Sequence, residues 1–148
     1  AMTGQQENPG TGYTIAREVT EAVNIEPLVR AMGIKNVRTI NPNQLSQVNE
    51  ALDWALGMDE QTVIITRWPC VLKKQAPWDL EEFQGAFTET YFGDETVCIG
   101  CRKCTRTGCP AVVFQFDKKK SSIDPDKCVG CSVCAQVCPT GAIQKVEA

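Results

Sequence analysis

The sequence predicts an α/β segment with a parallel sheet, followed by a small α+β domain that is rich in cysteine. Two observations lead to this prediction. Helical and β-branched patterns alternate in the first half of the chain, which is typical of layered α/β units. Eight of the nine cysteines fall in the last third of the 148 residues, where the composition changes abruptly.

The composition is that of a globular protein, with 43% hydrophobic and 22% charged residues. The chain is long enough for one ordinary core, or for a small domain joined to a piece of another. No apolar run reaches the roughly 18 residues of a membrane span, and residues 1–4 do not resemble a signal peptide. The net charge is -3, and the short lysine run at residues 118–120 is typical of a solvated turn. We therefore expect neither a membrane nor a nucleic-acid partner.

Residues 1–12 are polar and glycine-rich and predict a loop. A helix is expected over residues 25–32, because Asn24 can cap it, Pro27 fits its first turn and Gly33 can end it. A short buried strand is then predicted over residues 37–40. These first elements begin the α/β unit.

The next helix is predicted after Asn43, which can act as its cap, and before Gly57. Its apolar residues recur at helical spacing and form one stripe: Leu45, Val48, Leu52 and Leu56. Residues 62–66 are β-branched throughout and predict a strand buried on both faces, as in parallel sheets. Two strands and two helices leave a sheet edge and apolar faces uncovered, so this unit looks like the closing part of a domain.

The cysteines of the last third form a repeat with a period of about 30 residues. Each half has three cysteines at C-x-x-C-x-x-C spacing, then a fourth cysteine followed by proline. Glycine lies between the first two cysteines of each half, at Gly100 and Gly130, where it allows a tight turn. The halves are Cys98, Cys101, Cys104 and Cys109-Pro110, then Cys128, Cys131, Cys134 and Cys138-Pro139.

This spacing is that of bacterial ferredoxins with two [4Fe-4S] clusters, apart from one extra residue in the first half. Three thiolates two residues apart can bind three corners of a cluster, and the fourth ligand comes from the other half. Cys98, Cys101, Cys104 and Cys138 are then predicted to hold cluster 1. Cys109, Cys128, Cys131 and Cys134 are predicted to hold cluster 2. Apolar cover is expected from residues 112–114, 142 and 143.

Zinc is the main alternative, because two C-x-x-C pairs also form a structural site with four cysteines. The chain has no histidine, which excludes mixed Cys/His zinc sites and Rieske centres. The third C-x-x step in each half favours iron–sulfur clusters over zinc. Disulfides are a weaker alternative, since nothing indicates an oxidising compartment. Cys70 stands apart and is interpreted as a buried structural thiol.

The cysteine-rich segment resembles the ferredoxin domain of the α subunit of indolepyruvate:ferredoxin oxidoreductase. The motifs that carry the resemblance are Cys98-Ile99-Gly100-Cys101, Thr107-Gly108-Cys109-Pro110 and residues 128–139. Residues 23–33 and 63–70 resemble the end of that subunit's thiamine-binding domain. The resemblance implies a thiamine diphosphate-binding portion at 1–72, a connector at 73–94 and a 2[4Fe-4S] ferredoxin-type domain at 95–148.

The resemblance also implies a function in the cytoplasm. The family oxidatively decarboxylates aryl 2-oxoacids to acyl-coenzyme A and reduces ferredoxin, with thiamine diphosphate and Mg²⁺ as further cofactors. A β subunit and an external ferredoxin are the implied partners. Thr3, Gly4 and Gln5 correspond to a loop near the thiamine cofactor. No catalytic residue is implied here, and the fragment alone is not expected to catalyse the reaction.

Three hypotheses remain at this point. The first is an electron-transfer segment of such an oxidoreductase. The second is an independent ferredoxin-like carrier, or a subunit of another 2-oxoacid:ferredoxin oxidoreductase. The third is an interaction module that is held together by zinc. The α/β segment favours the first hypothesis, since a free carrier has no need of it.

Overall fold

The fold is described from a computed structural model, which covers residues 7–70, 81, 83–84, 86–87 and 89–146. Contacts divide the chain into two compact units, Ala1–Ala76 and Pro77–Ala148. The predicted cofactor-loop residues Thr3, Gly4 and Gln5 lie outside the described residues. No helix in the described part has both the length and the apolar character that a membrane span requires.

The first unit has the predicted order of helix, strand, helix and strand. Its elements are α1 (Ile25–Ala31), β1 (Asn36–Ile40), α2 (Leu45–Leu56) and β2 (Thr62–Thr66). The two strands pair in parallel, from Asn36 opposite Thr62 to Ile40 opposite Thr66. Parallel neighbours need a crossover connection, and α2 provides it. That this sheet belongs to a thiamine-binding domain stays a prediction.

The two helix caps of this unit differ in outcome. The Asn24 side chain accepts a hydrogen bond from the Glu26 N–H at 3.2 Å, so the predicted cap of α1 is confirmed. The predicted cap of α2 is wrong, because its N-cap residue is Gln44, which makes no side-chain capping bond. The reason is an earlier turn in which Asn41 Oδ1 accepts the Asn43 N–H at 2.9 Å.

The apolar stripe predicted for α2 is only partly covered. Ala51 is buried, but Leu52 and Leu56 are 48% and 85% exposed. The strand β2, predicted to be buried on both faces, is half-buried along most of its length. A sheet of two strands is too narrow to cover a whole helix face, which accounts for both differences.

The second unit is built from short strands and two short helical turns. Strands β3 and β6 are antiparallel, as are β4 and β5. The third cysteine of each triplet lies in a helical turn and is buried. The elements are β3 (Tyr91–Gly93), a 3-10 helix (Cys104–Thr107), β4 (Val112–Gln115), β5 (Lys120–Ile123), α3 (Val133–Gln136) and β6 (Ile143–Lys145).

Strand β3 corrects the sequence-based organisation, because it lies within the predicted connector. It pairs with the last strand, with Tyr91 opposite Lys145 and Gly93 opposite Ile143. A strand of three residues is too short to show alternation in the sequence. The end of the predicted connector is therefore part of the second unit.

The two halves of this unit repeat one turn that the sequence analysis missed. The Cys98 N–H donates to the Asp94 carbonyl oxygen at 2.9 Å, and the Cys128 N–H donates to that of Asp124 at 3.1 Å. Each aspartate also accepts, through Oδ1, the N–H two residues later. Side-chain donors hold the pKa of both carboxyls below its ordinary value, chiefly the Thr96 hydroxyl at Asp94 and the Lys127 ammonium at Asp124. The matched turns fix where each cysteine loop begins.

Gly100 and Gly130 are required at matched places in the two cysteine loops. Both have positive φ, 69° and 70°. A Cβ atom at residue 100 would collide with the Lys119 carbonyl oxygen, and one at residue 130 with that of Glu89. Each loop is thus pressed against the backbone of another segment, which only glycine permits.

Gly100→Ala is expected to destabilise the protein more than Gly108→Ala. Both glycines have φ near 70°, but a Cβ at residue 108 meets nothing within 4 Å. Backbone strain alone costs about 1 to 3 kcal/mol, and only the first variant adds a backbone collision. Denaturant midpoints from far-UV circular dichroism measure the difference. Equal midpoints in the two variants would contradict the close approach of the loop and residue 119.

Candidate metal centre

One pocket of the second unit brings together cysteines from both halves of the repeat. Its cysteines are Cys98, Cys101 and Cys104 of the first triplet and Cys138, the last cysteine of the second half. About 330 Å³ of space lies between the lining residues, part of it open to solvent. This is the set of four thiols that the spacing predicted for cluster 1.

The other four cysteines also lie near one another. Burial is the main reason why the pKa of the Cys134 thiol rises to about 11. The charges of nearby sulfurs raise it as well, and these belong to Cys131, Cys109 and Cys128. Such an effect requires proximity, since charge interactions weaken with distance. A metal that binds Cys134 has to displace a proton from a buried thiol.

Hydrogen-bond donors surround the sulfur of Cys138. Burial raises the pKa of this thiol, but backbone N–H groups of Thr140, Ile143 and Ala142 and the Thr140 hydroxyl lower it below the ordinary value. The Thr140 hydroxyl oxygen lies 3.7 Å from Sγ. In the same pocket, the Ser121 N–H donates to Cys98 Sγ at 3.5 Å. These donors stabilise thiolates, the form in which cysteine binds metals.

The apolar cover of the two sites comes from a small buried group. Cys104, Cys134 and Ile143 form its centre, and Tyr91, Val112, Ile123, Ala135, Val137 and Cys138 pack against it. Ala142 is also buried, as predicted. Val113 was predicted to contribute, but it is 45% exposed, because alternate side chains of β4 point to opposite faces. Cover that excludes water is one of the properties that set the potential of a redox centre.

A single metal ion and a multinuclear cluster place their thiolate ligands at different spacings. No group of three or more cysteine, aspartate or glutamate side chains in the described ranges is arranged to hold one metal ion. Four thiolates around one zinc, each at about 2.3 Å, have sulfurs only ~3.8 Å apart. In a [4Fe-4S] cluster each thiolate binds a different iron, so the sulfurs are spaced more widely. All nine cysteines are free thiols, and Cys70 is half-buried rather than buried as predicted.

A cationic surface, called here the basic surface, borders the first pocket. The Arg102 guanidinium lies 5.0 Å from the ring centre of Phe114 and 5.5 Å from that of Phe116. Ile99 and Phe116 expose apolar area beside it, at 66% and 72%. Its cations are exposed and make no ion pair with a described residue: Arg102, Lys103, Arg106 and Lys119.

Two further lysines near the first pocket are already engaged. Lys118 pairs with Glu95 at 2.9 Å, and the Lys120 ammonium donates to the Cys98 carbonyl oxygen. The lysine run was interpreted from the sequence as a solvated turn. This prediction is confirmed for Lys118 and Lys119, which are exposed and lie in the turn at residues 116–119. Lys120 differs, since it begins β5 and is half-buried.

Known proteins match the chain in two ways. Residues 121–144 match a family described as a 4Fe-4S binding domain. Almost the whole chain, 99%, is 38% identical to indolepyruvate oxidoreductase subunit IorA of Pyrococcus horikoshii, and an equally similar subunit occurs in Archaeoglobus fulgidus. The match covers 22% of each relative, so the chain spans about one fifth of their length. The predicted resemblance to this subunit is confirmed.

A shorter relative matches only part of the chain. It is an uncharacterized ferredoxin of Methanocaldococcus jannaschii, 44% identical over 57 residues. The match covers 36% of this chain and 89% of that protein. Both kinds of relative, together with the matched domain, support an iron–sulfur protein.

Proposed function

Because part of the chain belongs to the ferredoxin family of 4Fe-4S proteins, we propose that it is the electron-transfer part of an indolepyruvate:ferredoxin oxidoreductase. The whole enzyme would convert aryl 2-oxoacids to acyl-coenzyme A and reduce ferredoxin. This chain would receive the electrons singly and pass them on. When bound, the iron–sulfur clusters supply this one-electron chemistry.

The observation that carries the proposal is the pocket in which Cys138 joins the first triplet. We assign Cys98, Cys101, Cys104 and Cys138 to cluster 1. Cys109, Cys128, Cys131 and Cys134 are assigned to cluster 2. Since each set takes ligands from both halves, neither site is complete until the halves have met. Metal binding and folding of this unit are therefore coupled.

The remaining cofactors and partners are those that the family resemblance implies, and we propose them for the intact enzyme. Thiamine diphosphate and Mg²⁺ belong to the intact enzyme, with Thr3, Gly4 and Gln5 near the thiamine cofactor. A β subunit, coenzyme A and the oxoacid complete the assembly. As the family resemblance implies, we place the enzyme in the cytoplasm.

The alternative is a ferredoxin-like carrier, or a subunit of another 2-oxoacid:ferredoxin oxidoreductase. One observation favours it, because the short ferredoxin is matched over 89% of its own length. The long relatives argue for the first proposal, since they match the α/β unit as well as the cysteine-rich unit. Fusion to that unit distinguishes an enzyme segment from a free carrier.

The proposed external acceptor fits the basic surface. Ferredoxin-type carriers with acidic surfaces are attracted by such cations, and the exposed Ile99 and Phe116 give the contact an apolar part. Cys101, a proposed ligand of cluster 1, is also exposed. We therefore propose that electrons leave the chain next to cluster 1.

Protein purified without oxygen is expected to be brown, with broad absorption near roughly 400 nm and about eight irons per chain. Iron and zinc analysis of the same sample, by mass spectrometry, tests this. Removal of the metal with a chelator should also unfold the second unit, because its ligands come from both halves. Colourless protein with stoichiometric zinc would overturn the iron–sulfur assignment.

Each proposed ligand set takes cysteines from both halves of the repeat, and this predicts which cysteine variants alter the same cluster. Cys138→Ser should alter the same electron paramagnetic resonance signal as Cys101→Ser, since both are assigned to cluster 1. Cys109→Ser should instead group with Cys131→Ser. Cys70→Ser, in the other unit, serves as the control and should leave both signals unchanged. If Cys138→Ser groups with Cys131→Ser, each half holds its own cluster and the assignment is wrong.

Charge reversal on the basic surface should slow electron transfer to an acidic ferredoxin. We expect the double variant Lys103→Glu/Lys119→Glu to lower the stopped-flow rate at low salt about tenfold. The difference should shrink at 1 M salt, where the Debye length is only about 3 Å. Arg17→Glu combined with Lys35→Glu makes the same change in net charge on the first unit, at exposed cations that make no ion pair with a described residue, and is the matched control. Equal slowing in both double variants would mean that net charge, and not this surface, sets the rate.

A further inference from the structure

We propose that the Ser121 hydroxyl donates a hydrogen bond to a sulfur atom of cluster 1 and thereby raises the reduction potential of that cluster. The inference rests on the proposed function, because it requires a cluster on Cys98, Cys101, Cys104 and Cys138. It concerns a residue outside the cysteine motif, and it gives the two clusters different reduction potentials.

Ser121 is a buried polar residue whose hydroxyl has no partner in the described protein. Its exposure is 3%, and it lies in β5 opposite Phe114. Its Oγ atom is buried and forms no hydrogen bond with a described residue. Burial of an unpaired hydroxyl is unfavourable, so such groups in folded proteins nearly always have a partner. The missing partner is then a group that binds the protein.

The position of Ser121 indicates which group this is. The residue lines the pocket of the four cysteines, and its backbone N–H already donates to Cys98 Sγ at 3.5 Å. Oγ is separated from that nitrogen by only three bonds, and rotation about χ1 moves it among staggered positions. We therefore take a sulfur atom of cluster 1 as the acceptor of this hydroxyl.

The repeat shows that the second site lacks this hydroxyl. With Cys98 aligned to Cys128, Ser121 corresponds to Tyr91. The Tyr91 hydroxyl donates to Glu89 Oε2 at 3.0 Å, and the residue packs against the buried group around Cys134. The first site therefore has a small donor where the second has a large aromatic residue with its own acceptor.

The direction of the effect follows from charge. Reduction adds an electron to a cluster whose sulfurs already carry negative charge, and a hydrogen bond to sulfur stabilises the more negative state more strongly. The donor therefore raises the potential of cluster 1 relative to cluster 2. Electrons that enter the chain would collect at cluster 1, which lies beside the basic surface.

The test is a redox titration of the full chain with both clusters loaded, monitored by electron paramagnetic resonance. The signal that Cys101→Ser alters identifies cluster 1. In Ser121→Ala, the ratio of reduced to oxidised cluster 1 at a fixed potential should fall about tenfold, which is a shift of about 59 mV for one electron. Ser121→Thr keeps the hydroxyl and should stay near the wild-type value.

Ser122→Ala is the matched control, because the neighbouring hydroxyl already accepts a bond from Gln115 Nε2 at 3.3 Å and Ser122 does not line the pocket. Ser122→Ala should leave both reduction potentials unchanged.

A second measurement uses no alanine variant, so it does not require Ser121→Ala to bind cluster 1. Pulsed spectroscopy of the wild type and Ser121→Thr in deuterated water should show an exchangeable deuteron coupled to cluster 1 beyond those of the backbone amides.

The outcomes separate the inference from the function on which it rests. An unchanged potential of cluster 1 in Ser121→Ala, or an equal shift of both clusters, overturns the role of the hydroxyl and leaves the iron–sulfur assignment intact. Absence of the additional deuteron overturns it as well. A chain without iron overturns the proposed function, and the inference falls with it.

Discussion

The second unit depends on one constraint, which is that its two halves supply parts of each other's pocket. Cys138 lies at the end of the second half but shares a pocket with the first triplet. Cys109 lies at the end of the first half but is near Cys134 and its neighbours. The buried apolar group is small, so little else is available to stabilise so short a fold. In the proposed assignment, ligands that cross between the halves take over the role that a larger core has elsewhere.

Much of the arrangement of the cysteines could be predicted from the sequence, because cysteines at this spacing can be brought together in few ways. The glycines could be predicted for the same reason, since a chain that turns around a cluster needs positive φ at residues 100 and 130. Asp94 and Asp124 were missed, although the repeat that relates the cysteines also relates them. A search for matched polar residues about 30 positions apart would have found them.

The differences from prediction come from properties that no local pattern contains. Helical periodicity placed Leu52 and Leu56 on an apolar stripe, but it carries no information on the width of the sheet that covers the stripe. Strand β3 has only three residues, too few for any pattern. Ser121 gave no signal, because an isolated serine in a strand is ordinary until its burial and its neighbours are known. Tertiary contacts therefore decide the structure and burial of a segment whose sequence pattern is very short or consists of one residue.

The paired aspartate turns give the two halves a common module at the entry to each cysteine loop. Each turn sets the entry to its cysteine loop through the same bonds to a backbone carbonyl and a carboxylate. Side chains elsewhere in a half can then diverge without disturbing ligation, as Ser121 and Tyr91 have done. A descendant of an ancestral duplication can in this way acquire unequal centres while it retains one architecture. The same modularity suits engineering, since a chimera with two copies of either half would present two equivalent centres on a symmetric scaffold.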